Sequence, residues 1–348
     1  MTDRPPMLIQ FFTLRPVAAV NDVRIHQPAA ALAQLPGVRC HVLTTGGSLA
    51  RPQMGEASIF VWQRQILTPD SCREHLALTR AGHVVVSEWD DDPRIWPKVV
   101  ETDFFCLRTS HAIQTSTKPL GDFIRPHNPN VGVFPNQLPD LPPAPRPAPD
   151  GTPVTIFFGA LNREDDWAPV MPVLNDVLDR YPPGRVRVQV VHDRAFFDAV
   201  NCADKTFEPI CDHTRYRALL RGADIALLPL EDSDKNRLKS DLKFIECAAE
   251  GTVALASPVV YADSIRNNET GLIFRSPEQF GLRLRALIGD RALRTRLAAT
   301  AWQQVASKRQ LRDHVGGRLD WYHALWQRRA ELQAAMQARC LDIPATHW

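Results

Sequence analysis

The chain offers almost nothing on which a disulfide framework, a metal finger or a membrane span could be built. Its seven cysteines, Cys40, Cys72, Cys106, Cys202, Cys211, Cys247 and Cys340, are odd in number among 348 residues, and no pair has C-x-x-C spacing. Scattered through apolar or helical stretches, they read as buried free thiols in a reducing compartment. The eleven histidines form no H-x-x-x-H pair, and none is assigned to a metal. No apolar run approaches the roughly 18 residues needed to cross a bilayer. Met1–Gln10 carries charge and two prolines ahead of any apolar run, which is not the layout of a secretory leader. An excess of one charge is missing too: 41 basic residues face 39 acidic ones, a net of +2, which leaves no footprint for nucleic acid. A compact diphosphate stays open as a partner. Together these absences point to a cytoplasmic chain, with contact at a membrane surface left open.

Proline, by contrast, is abundant, with 29 residues, and it clusters. In Pro139–Pro153 each proline fixes φ and removes a backbone donor, so neither a helix nor a central strand can form there. The segment reads as an extended connector between an N-terminal domain over 1–138 and a second domain over 154–308. In the first half, Met7–Thr13, Val38–Thr44, Ser58–Arg64, His83–Glu88, Asp103–Leu107 and Val131–Phe134 are expected strands, with Asp22–Leu35 and Pro69–Ala81 as helices. In the second half the expected strands are Val154–Gly159, Val186–Val191, Asp224–Pro229, Val253–Ser257 and Gly271–Phe274. Its expected helices are Ala168–Tyr181, Tyr216–Arg221 and Leu242–Glu250. Near-continuous apolar strands fit a parallel sheet covered on both faces, and strand–helix alternation predicts a doubly wound α/β fold in each half. Beyond Phe274 the pattern is purely helical. Phe280, Leu284, Leu287 and Ile288 share one face, as do Leu311, Val315, Leu319, Tyr322 and Trp326, which gives a helical tail over 309–348.

Ligands of open α/β sheets lie beyond the carboxyl ends of strands, and anions favour helix N-termini. Two loops of the second half therefore draw attention. In Gly159–Trp167, Gly159 lets the chain turn sharply, and Asn162 and Arg163 could donate to phosphate oxygens. The plainer reading is a helix start, with Asp165 and Asp166 complementing the macrodipole. In Pro229–Ser257 a strand ends, a polar loop follows, and a helix begins near Ser240 or Asp241, with Ser240 as the expected N-cap. Lys243, Glu246 and Glu250 form one stripe on that helix. Lys243 can meet a diphosphate, and the Glu246 carboxylate can accept from two vicinal ribose hydroxyls. The plainer reading is a Lys–Glu pair on a solvated face. In the first half, Glu88–Pro93 carries three consecutive aspartates. A turn before proline explains them without a metal, while Asp90 and Asp91 could instead hold an acceptor hydroxyl or steady developing positive charge. Asn21–Arg24 and His26 read as a helix start, with ligand contact as the alternative.

The order strand, polar loop, then K-x-x-E-x-A-A-x-G-x-x-x-x-A-S over Lys243–Ser257 resembles the nucleotide-sugar signature of the GT-B glycosyltransferases, family 4 and its relatives. Tyr216, Leu219–Leu220 and Ala223–Asp224, Asn268–Phe274, and the run from His111 to Asn136 add further similarity. The resemblance implies two Rossmann-like doubly wound domains facing a central cleft, with the tail packing back on the first domain. It also implies a metal-free and cofactor-free glycosyltransferase of hexosyltransferase type that retains configuration. The donor would be a UDP- or GDP-sugar, with Glu246 on the ribose and with Lys243, Arg163 and the helix start near Ser240 on the phosphates. The acceptor would be a glycan, a lipid-linked glycan or a protein. The sequence departs from the family at Leu238, where a first glutamate is usual, and at Ala160 and Asp165, where Arg and Lys are usual. Asn236, Lys239, Ser240 or Asp241 must then meet the donor, with Asn162 or Arg163 substituting in the glycine loop. Epimerisation of a nucleotide-sugar on the same fold, or a catalytically silent nucleotide-binding scaffold, are the alternatives.

Overall fold

The computed structural model describes residues 4–13, 20–45, 47–145, 149, 151–341 and 343. Four linker residues, Arg146, Pro147, Ala148 and Asp150, fall outside that set, as do Asp342 and the last five residues of the tail. The chain forms two compact units. Unit 1 comprises the residues up to Pro139, the short piece Leu238–Ser240 and the stretch from Leu311 on, while unit 2 comprises Asp140–Arg237 and Asp241–Gln310.

Unit 1 is built on six parallel strands: β1 (Met7–Phe12), β2 (Val38–Leu43), β3 (Ala57–Gln63), β4 (Val84–Trp89), β5 (Ala112–Thr115) and β6 (Val131–Val133), in the order β2-β1-β3-β4-β5-β6. A parallel sheet needs cover on both faces, and β3 and β4 are buried along their whole length. The two last helices, Leu311–Gln327 and Arg329–Arg339, supply part of that cover. Val315, Tyr322, Leu325 and Leu332 join one apolar cluster with Met7, Ile9, Phe11, Ile59 and Val61. Burying each such side chain stabilises the unit by about 1.5–3 kcal/mol. The fit is close: a Cβ on Gly132 in β6 would lie 2.7 Å from the Trp321 ring.

Unit 2 contains β7 (Val154–Gly159), β8 (Val186–Val191), β9 (Lys205–Glu208), β10 (Ile225–Leu228), β11 (Val253–Ala256) and β12 (Leu272–Ile273), again all parallel. Their order, β9-β8-β7-β10-β11-β12, is that of a dinucleotide-binding sheet. Phe280, Leu284, Leu287 and Ile288 are fully buried in its core, along one face of the helix Pro277–Gly289.

Three expectations need correction. Asp103–Leu107 is not a strand: Asp103 and Phe104 both take left-handed backbone angles, φ 50° and 52°, and Phe105–Arg108 forms a helical turn whose apolar side chains fill a core. The strand in that region is β5, nine residues further on at its start. β9 also forms where no strand was expected. All seven cysteines are free thiols, four of them buried. No helix among the described residues is long and apolar enough to cross a membrane.

Two histidines in unit 1 are locked in the neutral form. His75 Nε2 donates to the Thr109 carbonyl at 2.6 Å, and His111 Nδ1 accepts from Val85 N at 2.9 Å. Burial pushes both down to about 4 from an ordinary 6.5. The unfolded chain therefore binds more protons than the folded one between those values, and stability is full above pH 6.5 and falls as pH drops towards 4. A gap of that size amounts to about 3 kcal/mol per histidine once pH reaches the folded value. Urea midpoints taken from pH 7 to pH 5 should fall steadily, and a flat profile over that window would refute the assignment.

Candidate functional site

The sheet of unit 2 reverses its winding between β7 and β10, and the crevice outside the carboxyl ends of those strands is where such a fold binds ligands. Three pieces meet there: the loop leaving Gly159, the loop leaving Leu228, and the helix Leu242–Glu250. Beside that helix runs His213–Arg221, started by the Asp212 carboxylate, which accepts from Arg215 N at 2.7 Å.

The stripe on Leu242–Glu250 is not a solvated face; it is turned towards His213–Arg221. Glu246 is buried, and its Oε1 accepts from His213 Nε2 at 2.6 Å. Glu250 is buried too and accepts from Arg217 Nε and Arg221 Nε, both at 2.7 Å. Lys243 Nζ donates to the Gly159 carbonyl and, at 3.3 Å, to the Tyr216 hydroxyl, and its ammonium lies 5.3 Å from the centre of the Tyr216 ring. A cation thus stands at the end of β7. Burial, and then the charge of Glu246, raise the Tyr216 hydroxyl well above its ordinary value, so it remains a neutral donor and acceptor. His192, stacked on Tyr216, is pushed down by burial and then by the Lys243 charge.

Gly159 matters for a tighter reason than a sharp turn. A Cβ there would lie 2.6 Å from the Phe157 ring and 2.7 Å from the Tyr216 ring. The two rings meet edge to face, 5.4 Å apart. Beyond it Asn162 is exposed, with a left-handed φ of 53°. Arg163 Nη1 donates to Asp166 Oδ2 at 3.0 Å and to Asn236 Oδ1 at 3.3 Å. The buried Asp166 carboxylate also takes Asn236 Nδ2 at 2.7 Å and Glu231 N at 2.8 Å. The two loops are therefore tied into one network, with Arg163 at its part-exposed edge.

The helix start differs from expectation. Asp241, not Ser240, occupies the cap position, and its side chain does not cap. Its carboxylate is drawn off instead by Arg309, at 2.5 and 2.9 Å, and by the Ser264 hydroxyl at 2.6 Å. Ser240, which belongs to unit 1, accepts from Asn136 Nδ2 at 2.8 Å. Lys239, in the same short piece, meets Asp91 Oδ1 at 3.0 Å. Asp91 also receives Arg64 Nη2 at 3.1 Å, and Asp90 receives Arg64 Nε at 2.5 Å. The three aspartates of that loop are thus met by cations, the third being held by Arg94. Among the described residues, no group of three or more His, Cys, Asp or Glu side chains is disposed to hold a metal ion.

Sequence reasoning missed the parts of His213 and His192, and read Asp166 only as a charge at a helix start. His213 and Glu246 lie on different helices 33 positions apart, and no periodicity links them. The one available signal was a carboxylate at position 246 among residues whose apolar neighbours demand burial.

Residues 178–320 match the family model described as glycosyl transferase-like. That span takes in His213, Tyr216, Lys239, Lys243 and Glu246, and leaves out Gly159, Asn162, Arg163, Asp90 and Asp91. No curated protein matches the chain by sequence. Among solved structures it is similar to sucrose-phosphate synthase from Thermosynechococcus elongatus, with a TM-score of 0.65 and 11% identity over 92% of this chain and 99% of that one. It is similar to HepE from Anabaena, solved in complex with UDP and glucose, with a TM-score of 0.63 and 11% identity over 90% and 98% of the two chains. TarM from S. aureus, solved with fondaparinux, alpha-GlcNAc-glycerol and UDP, gives a TM-score of 0.58 and 10% identity over 76% of this chain. The chain spans 55% of the length of that TarM structure. At these identities the likeness is one of fold, and the fold is GT-B: two parallel six-stranded sheets with C-terminal helices.

The crowding at Gly159 makes a direct test of how unit 2 holds its loop. Gly159→Ala should cost about 1–3 kcal/mol, because buried rings on both sides would have to shift. Gly289→Ala, with nothing within 4 Å of the new methyl, serves as the control and should stay within about 0.5 kcal/mol. Urea denaturation of the two variants beside the parent measures both.

Proposed function

We propose that the protein is a hexosyltransferase-type glycosyltransferase that takes its sugar from a nucleotide-sugar, with retention of configuration and without a metal. Unit 2 holds the donor. The observation that carries this reading is the carboxylate of Glu246, oriented by His213, next to the Lys243 cation at the winding reversal of a sheet whose strand order suits nucleotides. An ionised carboxylate offers about four acceptor positions, and His213 engages Oε1 alone. The remaining positions suit the two vicinal hydroxyls of a ribose. Lys243, Arg163 and the helix start, whose leading amides no side chain caps, face the diphosphate, with Asn162 and Gly159 shaping the approach. Charge builds on the diphosphate as the glycosidic bond breaks, so fixed cations and amides aimed at it lower the barrier. UDP and GDP are the expected nucleotides. HepE and TarM, both solved with UDP, support the first of these.

Unit 1 serves the acceptor, which is a glycan, a lipid-linked glycan or a protein. Asp90 and Asp91 are the carboxylates offered to its hydroxyl or to the developing oxocarbenium. Asp91, at 28% exposure, is the more open of the two, and Lys239 shares it with Arg64.

One observation favours a silent nucleotide-binding scaffold instead. Leu238, standing where related enzymes place a glutamate, is buried in an apolar cluster of unit 1. Turnover decides between them. The glycosyltransferase reading expects release of UDP or GDP from a nucleotide-sugar once an acceptor is present, whereas binding without release from any common nucleotide-sugar supports the scaffold.

Glu246→Gln should weaken binding of UDP or GDP by tenfold or more, since a hydrogen bond to a charged acceptor contributes about 1.5–3 kcal/mol. Calorimetric titration of the folded variant measures this. An unchanged affinity for both nucleotides would remove Glu246 from the site.

A further inference from the structure

Unit 1 contains a charge that the side chains of its described residues do not balance. Arg24, in the helical turn after β1, is 1% exposed. Its Nε donates to Glu88 Oε1 at 2.7 Å, and its Nη1 donates to the Phe134 carbonyl at 2.8 Å and to Asn136 Oδ1 at 2.7 Å. Among the described residues its Nη2 is buried with no hydrogen-bond partner. Arg318, on the helix Leu311–Gln327, is 4% exposed, with its guanidinium 4.8 Å from the centre of the Phe134 ring. Its Nη1 is likewise buried with no partner among the described residues. Burial holds Arg318 below the ordinary arginine range, with the Arg24 charge pushing the same way and Glu88 opposing. Two guanidiniums thus face one carboxylate, for Glu88 is fully buried and already holds Arg24 and Gln114.

Buried donors are nearly always paired, and an uncompensated buried charge costs several kcal/mol. Two orphan guanidinium NH2 groups and one surplus positive charge at the same place describe the complement of an oxyanion with a single negative charge. The position agrees. Arg24 follows β1, Glu88 lies near the carboxyl end of β4, and Asn136 follows β6, so the group sits along the carboxyl edge of the sheet. Phe134 and Ser240, the latter bonded to Asn136, are part-exposed and give the group a rim.

We propose that Arg24 and Arg318 form a binding site for a singly charged oxyanion, and that the acceptor carries it as a carboxylate or a phosphodiester. The second half of that statement rests on the glycosyltransferase reading, whereas the site itself does not. Arg24 Nη2 and Arg318 Nη1 each donate to the anion, and the Phe134 ring shields one side. The acceptor is then an acidic glycan or a phosphodiester-linked one, not a neutral sugar.

The test is a thermal-shift and calorimetric titration of the full chain in low-chloride buffer. The probes are D-glucuronate for the carboxylate, dimethyl phosphate for the phosphodiester, and D-glucose as the neutral control. At least one anion should raise Tm saturably while glucose does not, and which of the two does so identifies the source. Arg318→Met should raise Tm of the ligand-free protein by removing the surplus charge. It should also weaken the anion effect by tenfold or more and leave the UDP or GDP shift intact. Arg318→Gln gives the same readout should the methionine variant misfold. A shift by neither anion, or one that survives in both variants, overturns the proposal. Loss of the nucleotide shift in the parent protein, with the anion shift retained, would sink the glycosyltransferase reading and leave the anion site standing.

Discussion

A carboxylate survives inside an α/β unit only where a partner meets it, and the helix Leu242–Glu250 carries two into the interior of unit 2. Glu246 finds His213, and Glu250 finds Arg217 and Arg221, all on the one neighbouring helix. The spacing does the aligning, since residues 213 and 217 match residues 246 and 250 four apart on each side. Such pairs add little net stability, because desolvation offsets their attraction, but breaking one costs about 3–5 kcal/mol. Their effect is therefore to fix which way the two helices face. With that fixed, Lys243 has to project to the end of β7, where it meets the Gly159 carbonyl. The geometry of the candidate donor site is a consequence of where two buried carboxylates must go.

Unit 1 obeys the same rule with an opposite remainder. Its buried carboxylate, Glu88, is answered by Arg24 and Gln114, and Gln114 in turn accepts from the Tyr322 hydroxyl at 2.6 Å. That chain of bonds draws a residue of the last third of the sequence onto β5 of the first sheet. It also brings Arg318, one turn before Tyr322, to the same carboxyl edge. A purely apolar tail helix could cover the sheet equally well, so the polar members need another explanation than packing.

The strands that read clearly from the sequence, such as β3, β4, β7, β10 and β11, are those buried on both faces, where an unbroken apolar run is obligatory. β9, Lys-Thr-Phe-Glu, pairs with β8 alone and is only half-buried, so an edge position relieves it of the pattern that would reveal it. β5 was hidden for the reverse reason. Its Gln114 and Thr115 are fully buried polar residues, and the partner that lets Gln114 stay there lies 208 positions away. Phe104–Leu107 has the composition of a strand and folds as a helical turn, because burial alone does not choose between them and two left-handed residues intervene. The same limit governs the site. Lys243 and Glu246 were legible because one helix fixes their spacing, whereas the link from Glu246 to His213 exists only once two helices lie side by side.

Leu238 shows how a side chain buried in a core leaves polar contact to its neighbours. With its side chain in an apolar core, it cannot accept or donate to a sugar, and its backbone carbonyl is taken by the Thr117 hydroxyl at 2.9 Å. Any polar contact from the loop after β10 must then come from residues on either side. Two positions earlier, Asn236 is buried and already joined to Asp166 and Arg163, which makes it a support for the arginine more than a contact in its own right. The next residue, Lys239, is 15% exposed and shares Asp91 with Arg64, so its ammonium is positioned but not sealed off. A flexible, strongly hydrated ammonium can exchange one carboxylate for another anion at small cost, whereas a leucine locked in a core cannot move at all. Leu238 thus leaves polar contact to its neighbours, and among these Lys239 keeps a partly exposed charge within unit 1.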